Sequence, residues 1–369
     1  MACAATGETP GGASALHEKD RPVFVSRGGV FYRLPSLLVT KDGTVLAACQ
    51  KRLGHRGDWA RSALVLRRST DGGRTWSDEQ VLFERADWCC FNGNLVEDRR
   101  RGTVLALFIA FPRAAGPTWF PRQWMPAGGG FDSVRSTDDG KTWSEPTHHV
   151  PAPNPDGWRG GAANNNNHGF QLSTGPHAGR LVVGARVFKK GVYEGRAKGG
   201  VIYSDDGGKI WHVGGAGLAG KGAVNGEVAL CEAAGGEVYV SYRNRDRAAE
   251  PRRRFYSRSR DGGATFYDEG AVNDLSAHGC NAGLVGFTPR GADGRVLLLT
   301  YPARADRADL TAYLSRDGGR SWTRTRRITG HGGYSDVTVL PDGTILALYE
   351  AARAGGLYFA RFNLAWIER

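Results

Sequence analysis

Three arginines lie beside stretches of sequence that have the composition of buried β-strands. Arg33 lies in the segment FYRLPS, Arg243 closes the run VYVSY, and Arg307 opens RADLTAYL. A charged group beside a buried strand needs a partner. A structural salt bridge would explain each arginine alone, whereas three converging arginines would form a cage of planar donors for a carboxylate. From these residues alone, both interpretations stay open.

Other segments resemble binding motifs but lack the sequence context that the chemistry requires. The stretch 215–221 fits G-x-G-x-x-G, yet Gly222 stands where a phosphate-binding loop needs Ser or Thr, and no helix start follows. The nine histidines have no metal-type spacing, and the six cysteines contain no C-x-x-C pair. The sequence therefore disfavours nucleotide binding, and it predicts no metal site and no cofactor.

An internal repeat positions these residues. Six times, a Gly and one variable residue precede a β-prone apolar stretch. The copies begin at Gly43, Gly102, Gly179, Gly236, Gly294 and Gly343. Gly adopts positive φ at no steric cost, so each copy predicts a buried strand that is entered from a tight turn.

A second motif, S-x-D-x-G-x-T-W, alternates with the first. Its five copies span Ser69–Trp76, Ser136–Trp143, Ser204–Trp211, Ser259–Phe266 and Ser315–Trp322. Ile210 replaces the Thr of the third copy, Phe266 the Trp of the fourth, and Ser321 the Thr of the fifth. The pattern is typical of a hairpin turn in which Asp caps backbone amides, Gly is left-handed and Trp packs on the sheet. These aspartates are therefore interpreted as structural.

Composition agrees with an all-β chain. Gly contributes 54 of 369 residues without a three-residue period, 40% of the chain is hydrophobic, and only two Met are present. Six strand signals and five turns predict six antiparallel sheets of about four strands, arranged radially as a six-bladed β-propeller. We expect one domain over residues 21–369, a flexible segment over residues 1–20, and few helices.

The net charge of +12 favours an anionic partner without specifying it. The basic runs 99–101 and 252–254 lie in polar, turn-like sequence, which favours solvated loops over a nucleic-acid surface. Residues 1–20 lack the basic start and apolar core of a signal peptide, and no 18-residue apolar span occurs. We expect no membrane insertion and a cytoplasmic location, or a secreted one if a leader was removed.

The sequence resembles the exo-α-sialidases of the retaining, bacterial and animal cytosolic type, from about Val23 to Glu350. YRLPSL is similar to the family's opening motif, the S-x-D-x-G-x-T-W turns to its Asp boxes, and RADLTAYLS and YSDV to its late motifs. The resemblance implies a site composed of the carboxylate-binding arginines Arg33, Arg243 and Arg307, the supporting Glu350, the general acid/base Asp58, the nucleophile Tyr334 and its partner Glu227.

This resemblance also implies a mechanism. A sialic acid bears a carboxylate on its anomeric carbon, which would repel an anionic nucleophile, and a neutral phenol avoids that repulsion. Glu227 would activate Tyr334, and Asp58 would protonate the leaving oxygen and later deprotonate water. Two displacements retain configuration. The expected partners are sialylated glycans or free sialosides, and the expected state is a monomer.

The sugar pocket is assigned less directly. Arg52, Phe91 and Asn92 match positions that line it, with Phe91 as apolar wall. In the third blade, Arg186 stands where relatives have a tyrosine, which suggests a preference for the deaminated sugar Kdn over N-acetylneuraminic acid. Two alternatives stay open: a trans-sialidase with Trp59, Trp119 or Trp124 as an acceptor platform, and a non-catalytic sialic-acid-binding propeller.

Overall fold

The six Gly-initiated segments form the second strand of six separate sheets. Five of the six turn glycines have positive φ, and Gly294 does not. The β-branched and aliphatic residues after each glycine are buried, as in Val45–Leu53 and Ile345–Glu350. The computed structural model describes residues 14–113, 130–162, 167–189, 198–217, 224–244, 253–276, 279–351 and 355–369.

Each sheet is antiparallel and forms one blade. Blade 1 contains β2 (Val30–Val39), β3 (Val45–Leu53), β4 (Arg61–Ser69) and β5 (Gln80–Phe83). Blade 2 contains β6 (Trp88–Asp98), β7 (Thr103–Pro112), β8 (Phe131–Ser136) and β9 (Thr147–His149). Blade 3 contains β10 (Trp158–Ala162), β11 (Phe170–Gln171), β12 (Leu181–Lys189), β13 (Lys198–Ser204) and β14 (His212–Ala216), with β10 and β11 both paired to β12.

The remaining three blades follow the same order. Blade 4 contains β15 (Val224–Glu232), β16 (Val238–Asn244), β17 (Arg253–Ser259) and β18 (Asp268–Ser276). Blade 5 contains β19 (Gly283–Phe287), β20 (Val296–Pro302), β21 (Leu310–Ser315) and β22 (Thr323–Thr329). Blade 6 contains β23 (Ser335–Val339), β24 (Ile345–Glu350), β25 (Gly356–Phe362) and β1 (His17–Val25). The prediction of a six-bladed β-propeller is confirmed.

The first strand in the chain closes the ring. β1 pairs with β25, so the two ends of the chain share blade 6. Because β1 begins at His17, the domain boundary expected at residue 21 falls inside a strand. Of the segment expected to be flexible, residues 1–13 lie outside the described part, whereas Asp20 is held by Thr329 and Tyr349.

The five S-x-D-x-G-x-T-W segments form the predicted turns, between the third and fourth strands of blades 1 to 5. In the first, Asp71 accepts hydrogen bonds from the amides of residues 74 and 75 and from the Thr75 hydroxyl, and the Ser69 hydroxyl accepts one from Gly73. Gly73 has φ +83, and a Cβ there would lie 2.3 Å from the Phe359 ring. Glycine is therefore required for both conformation and close approach.

The aromatic residues of these turns connect neighbouring blades. The ring pairs are Trp76 with Phe359, Trp211 with Phe131 and Trp322 with Tyr239, at centroid distances of 5.2, 5.6 and 6.0 Å. The sequence predicts packing on the sheet, and the structure identifies that sheet as the one in the preceding blade. The core consequently lies in the apolar layers between blades.

Antiparallel order gives the ring two chemically different ends. The turns from first to second strand and from third to fourth strand lie at one end, here called the box face because it carries the five Asp boxes. The opposite end, here called the site face, receives the starts of first strands, the ends of second strands and the loops from second to third strands. The three arginines of interest belong to the site face.

The two basic runs differ. Arg99, Arg100 and Arg101 form an exposed turn capped by Asp98, as predicted. The second run is not a solvated loop within the described residues: residues 253 and 254 lie in β17, and Arg254 is fully buried. Strand pairing with β16 and β18 outweighs the polar composition of this segment.

Helix is scarce, as expected. The described residues contain α1 (Leu364–Ile367), where the Asn363 side chain accepts a hydrogen bond from the Trp366 amide, and a 3-10 turn at Ala234–Gly236. Among the described helices, none has the length and apolar character needed to cross a bilayer.

Candidate active site

Seven of the residues assigned from the sequence occupy the site face. Arg33 lies in β2 and Glu227 in β15, both first strands, and Tyr334 immediately precedes the first strand β23. Second strands contribute Arg243 in β16 and Glu350 at the end of β24. Loops that follow second strands contribute Asp58 and Arg307. Residues separated by up to 317 positions are thus brought to one end of the ring.

The centre of the site is a hydroxyl–carboxylate pair. The Tyr334 hydroxyl donates to Glu227 Oε1 at 2.8 Å. Arg243 Nη1 donates to the same hydroxyl oxygen at 3.0 Å and also forms an ion pair with Glu227. Because Glu227 accepts the phenol proton in a hydrogen bond, it is placed to act as the base that activates Tyr334.

Two further guanidiniums flank the Tyr334 ring. The guanidinium carbons of Arg33 and Arg307 lie 5.6 and 5.1 Å from its centroid. Arg307 has φ +59, and its Nη2 donates to the Gly279 carbonyl at 3.0 Å. Together with Arg243, these side chains surround the phenol with three permanent positive charges.

Glu350 fixes the first of these arginines. Its two carboxylate oxygens accept from Arg33 Nε at 3.0 Å and Nη2 at 3.1 Å, and it also accepts from the Leu34 amide. Burial raises the pKa of Glu350, but the charge and hydrogen bonds of Arg33 outweigh burial, so the net pKa is lowered. The pKa of Arg33 is raised, chiefly by the Glu350 charge. Arg33 and Glu350 are therefore both ionised. Glu350 contacts one edge of the Arg33 guanidinium and leaves the other edge unoccupied by its carboxylate.

Electrostatics keep the tyrosine protonated in the free protein. Burial raises the pKa of Tyr334 far above its ordinary value, and the Glu227 charge raises it further, while Arg243 and Arg307 act in the opposite direction. A phenol in this environment is neutral and donates its proton, so it becomes nucleophilic only as Glu227 removes that proton.

Asp58 lies apart from this buried group. It is half exposed, in the loop between β3 and β4, and its carboxylate accepts from Arg52 Nη1 at 2.8 Å. Arg52 is almost fully buried, and its Nε donates to Gln50 Oε1 at 2.8 Å. Gln50, which sequence reasoning missed, is itself held by the Cys90 carbonyl and the Ser62 hydroxyl. A buried chain of contacts thus holds the exposed acid.

The assigned apolar wall is part of an aromatic cluster. Phe91 stacks on Phe111 at 5.7 Å, and the rings of both contact Trp59, which follows Asp58 in the chain. Asn92 is buried with φ +58, where the pairing of β6 with β7 is irregular. Trp119 and Trp124, the other two residues of the expected acceptor platform, lie outside the described residues.

Arg186 occupies a position that the repeat relates to the site. It lies in β12, seven residues after Gly179, and Arg243 and Glu350 follow their own turn glycines by the same seven residues. It pairs with Gly199 of β13. The register therefore gives blade 3 an arginine at the strand position that carries site residues in blades 4 and 6. This offset is a sequence signal that the repeat itself contains.

A buried polar network underlies the nucleophile. Asp336, two residues after Tyr334, is fully buried and accepts from the amides of Leu37 and His168 at 2.8 and 2.9 Å. The His168 ring also contacts this carboxylate, and Asn167 donates to it at 3.1 Å. Sequence reasoning recognised Asp336 only as part of a motif. The network ties β23 to blade 1 and to the segment before β11.

No cluster of three or more His, Cys, Asp or Glu suited to a metal ion is found where side chains are described. The cysteines described, at positions 49, 89, 90, 231 and 280, are buried thiols. The polar groups that meet at this site are the Tyr334 phenol, the carboxylates and the guanidiniums.

Fold and site together define a six-bladed propeller with three arginines around a tyrosine–glutamate pair. The chain belongs to the family of BNR repeat-like domains, whose model matches residues 64–347. It is 32% identical over 370 residues to a sialidase of Micromonospora viridifaciens, an alignment that covers 97% of this chain and 55% of that protein. The chain thus spans about half the length of this curated relative.

Solved structures agree on the architecture. A Hadza microbial sialidase matches with a TM-score of 0.76 and 23% identity over 91% of this chain and 66% of its own. The intramolecular trans-sialidase of Ruminococcus gnavus, solved with oseltamivir carboxylate, matches with a TM-score of 0.72 and 17% identity over 92% and 96% of the two chains. These likenesses show a shared fold, and with the sequence relative they confirm the resemblance to sialidases.

Proposed function

We propose that this chain is an exo-sialidase, which hydrolyses terminal α-ketosidic sialic acids with retention through a covalent tyrosyl intermediate. The observation that carries the proposal is the Tyr334 hydroxyl, which donates to Glu227 at 2.8 Å within a ring of three arginines. A pocket that needed only to bind a carboxylate would have no use for an activated phenol.

In the first displacement, the Tyr334 oxygen attacks the anomeric carbon while its proton passes to Glu227. The bond from that carbon to the glycosidic oxygen breaks, and Asp58 gives its proton to the leaving oxygen. In the second displacement, Asp58 takes a proton from water and the water oxygen attacks the same carbon. The bond from that carbon to the Tyr334 oxygen breaks, and Glu227 returns a proton to this leaving oxygen. Protons and electron pairs balance over the cycle, and two inversions give retention.

The arginines explain substrate choice. A sugar carboxylate next to the anomeric carbon would accept hydrogen bonds from Arg33, Arg243 and Arg307 while the Tyr334 oxygen faces the ring carbon. Three preorganised cations also stabilise the charge that shifts toward the carboxylate and phenol as the bond breaks. The half-exposed position of Asp58 suits its task, since the leaving group and the incoming water must both reach it.

The test is release of 4-methylumbelliferone from a sialoside. Tyr334→Phe and Asp58→Ala should each lower kcat at least about a hundredfold, the usual weight of a positioned nucleophile or acid, while binding survives. Tyr313→Phe alters another buried tyrosine in β21 and serves as the control. Full activity of Tyr334→Phe would refute the nucleophile. Binding without turnover by the unaltered protein would instead favour a non-catalytic sialic-acid-binding propeller.

The stereochemistry is tested separately. NMR of the first sialic acid released should detect the α-anomer before mutarotation, because two displacements preserve configuration. Immediate appearance of the β-anomer would exclude the tyrosyl intermediate even if hydrolysis were rapid.

A preference for Kdn is the finer part of the proposal. A cation at Arg186, in the strand position that carries site residues in two other blades, would disfavour an apolar N-acetyl group and favour a hydroxyl. The ratio of kcat/KM for Kdn and N-acetylneuraminic acid glycosides should therefore fall in Arg186→Leu. An unchanged ratio would remove Arg186 from specificity.

Transfer to a sugar is the second candidate, and the aromatic cluster supports it. Trp59 adjoins Asp58 and contacts Phe91 and Phe111, so an apolar surface borders the residue that would activate an acceptor. With excess lactose, a transferase would form sialyllactose in preference to free sialic acid. Hydrolysis as the main outcome would leave Trp59 as part of the pocket wall.

A further inference from the structure

Arg254 is a buried cation that the proposed mechanism does not use. It lies in β17, the third strand of blade 4, and it is fully buried. No described carboxylate lies within ion-pair distance of it. A guanidinium is costly to bury without an opposite charge, so its remaining contacts need an explanation.

Those contacts converge on a turn behind the site. Arg254 Nε donates to the Ser241 hydroxyl at 3.0 Å, Nη1 donates to the Cys280 carbonyl at 3.1 Å, and the guanidinium lies over the Tyr301 ring at 4.7 Å. Two donors of one rigid fork are thus fixed, one on the neighbouring strand β16 and one on the peptide before β19.

The same turn touches two arginines of the site. Arg307 Nη2 donates to the Gly279 carbonyl, which precedes the carbonyl that Arg254 holds. Gly279 has φ +64, and a Cβ there would lie 3.7 Å from Arg243 Nη2. The Gly279–Cys280 turn is therefore wedged between Arg243 and Arg307 on one side and Arg254 on the other.

We infer that Arg254 is a positioning residue for the carboxylate-binding arginines, acting through the Gly279–Cys280 turn. This inference rests on the proposed function. Loss of the guanidinium would leave a buried carbonyl without its donor and release the turn from which Arg307 takes its anchor. The two guanidiniums would then meet a substrate carboxylate less well, whereas Tyr334 keeps its own contact with Glu227.

The experiment measures binding of 2,3-didehydro-N-acetylneuraminic acid by calorimetry, together with KM and kcat. Arg254→Met keeps the apolar stem and should weaken binding and raise KM about ten- to a hundredfold, the range of one lost charged hydrogen bond. Part of the loss should also appear in kcat, because the same guanidiniums stabilise charge as the bond breaks. The methyl ester of the same inhibitor, which lacks the charge, should be bound equally by both proteins.

Arg258→Met is the matched control. Arg258 lies on the same strand and is also buried, but it contacts Glu237 and the Gly318 carbonyl instead of the Gly279–Cys280 turn. The Arg258→Met variant should have a lower free energy of unfolding and unchanged inhibitor binding. Equal weakening in both variants, or the same loss for the methyl ester, would show a general structural effect and overturn the inference.

Arg254→Lys decides the matter if the Met variant does not fold. An ammonium cannot donate to Ser241 and Cys280 with the geometry of the fork, so binding should weaken by less than in a Met variant but measurably. Binding equal to that of the unaltered protein would overturn the inference. An unaltered protein that does not bind the inhibitor at all would overturn the proposed function itself, and with it this role.

Discussion

The box face and the site face hold their carboxylates in different ways. Asp71 finds its donors within four residues, in the Ser69 and Thr75 hydroxyls and two amides. Glu350 accepts its main hydrogen bonds from Arg33, 317 positions away, and Glu227 accepts one from the Tyr334 hydroxyl, 107 positions away. Of these three carboxylates, the one satisfied locally is structural, and the two satisfied across blades belong to the candidate site.

The consequences for protonation differ as well. Burial raises the pKa of Asp71, but the hydrogen bonds from Thr75, Ser69 and Arg74 together outweigh burial, so the net pKa is lowered. At the site face, burial and the Glu227 charge raise the pKa of Tyr334. On the box face, Asp71 is therefore stabilised as a carboxylate. On the site face, Tyr334 is kept as a neutral phenol that is hydrogen-bonded to its base, Glu227.

Removing a carboxylate from the site face should have the largest effect. Glu350→Gln leaves Arg33 buried and unpaired, so the free energy of unfolding should fall by about 3 kcal/mol or more. kcat/KM should fall at least about a hundredfold, because a displaced guanidinium misplaces the substrate. Urea unfolding and the fluorogenic assay measure the two effects.

The control for this variant is an exposed ion pair. Arg61 and Glu84 are in contact at 2.6 Å, with both side chains about one-third exposed or more. Glu84→Gln should cost less than about 1 kcal/mol and leave kcat/KM unchanged. If the two glutamate variants lost equal stability, the contrast between buried and exposed pairing would be wrong.

Removing a carboxylate from the box face should have a moderate effect on stability only. Asp71→Ala deletes the acceptor of two amides and two hydroxyls, as in the loss of a capping residue, and should cost about 1–2 kcal/mol. kcat/KM per folded molecule should not change. Asp78→Ala, in an exposed position after the same turn, is the control. A loss of activity in Asp71→Ala would mean that the two faces are coupled.

This contrast also explains what could be predicted. The Asp boxes are local, so residue type and spacing were sufficient to define their turns and, by repetition, the six blades. Arg33 and Glu350 could be paired only through resemblance to a family, since no local pattern connects residues 317 positions apart. Gln50 was missed because its role depends on Arg52, Ser62 and the Cys90 carbonyl, which meet only in the folded chain.

One prediction was wrong, and one strand begins earlier than the expected domain boundary, for the same reason. Composition placed Arg254 in a solvated loop, although the pairing of β17 with β16 and β18 buries it. The domain start was set at residue 21, although pairing with β25 extends β1 back to His17. In both cases tertiary contacts outweigh the preference of a polar segment for solvent.

The smallest expected effect comes from restoring the hydroxyl that one Asp box lacks. In four boxes a Thr or Ser hydroxyl donates to the second oxygen of the Asp, at 2.6–2.7 Å. The third box has Ile210 instead, with 60% of its surface exposed. Ile210→Thr should therefore raise the free energy of unfolding by about 0.5–1 kcal/mol, the net value of one hydrogen bond.

Thr142→Val, which removes the equivalent bond in the second box, should lower the free energy of unfolding by a similar amount in the same urea titration. If Ile210→Thr gives no gain while Thr142→Val is destabilising, the hydroxyl contributes only where its own box has adapted to it, and the five boxes are not equivalent units.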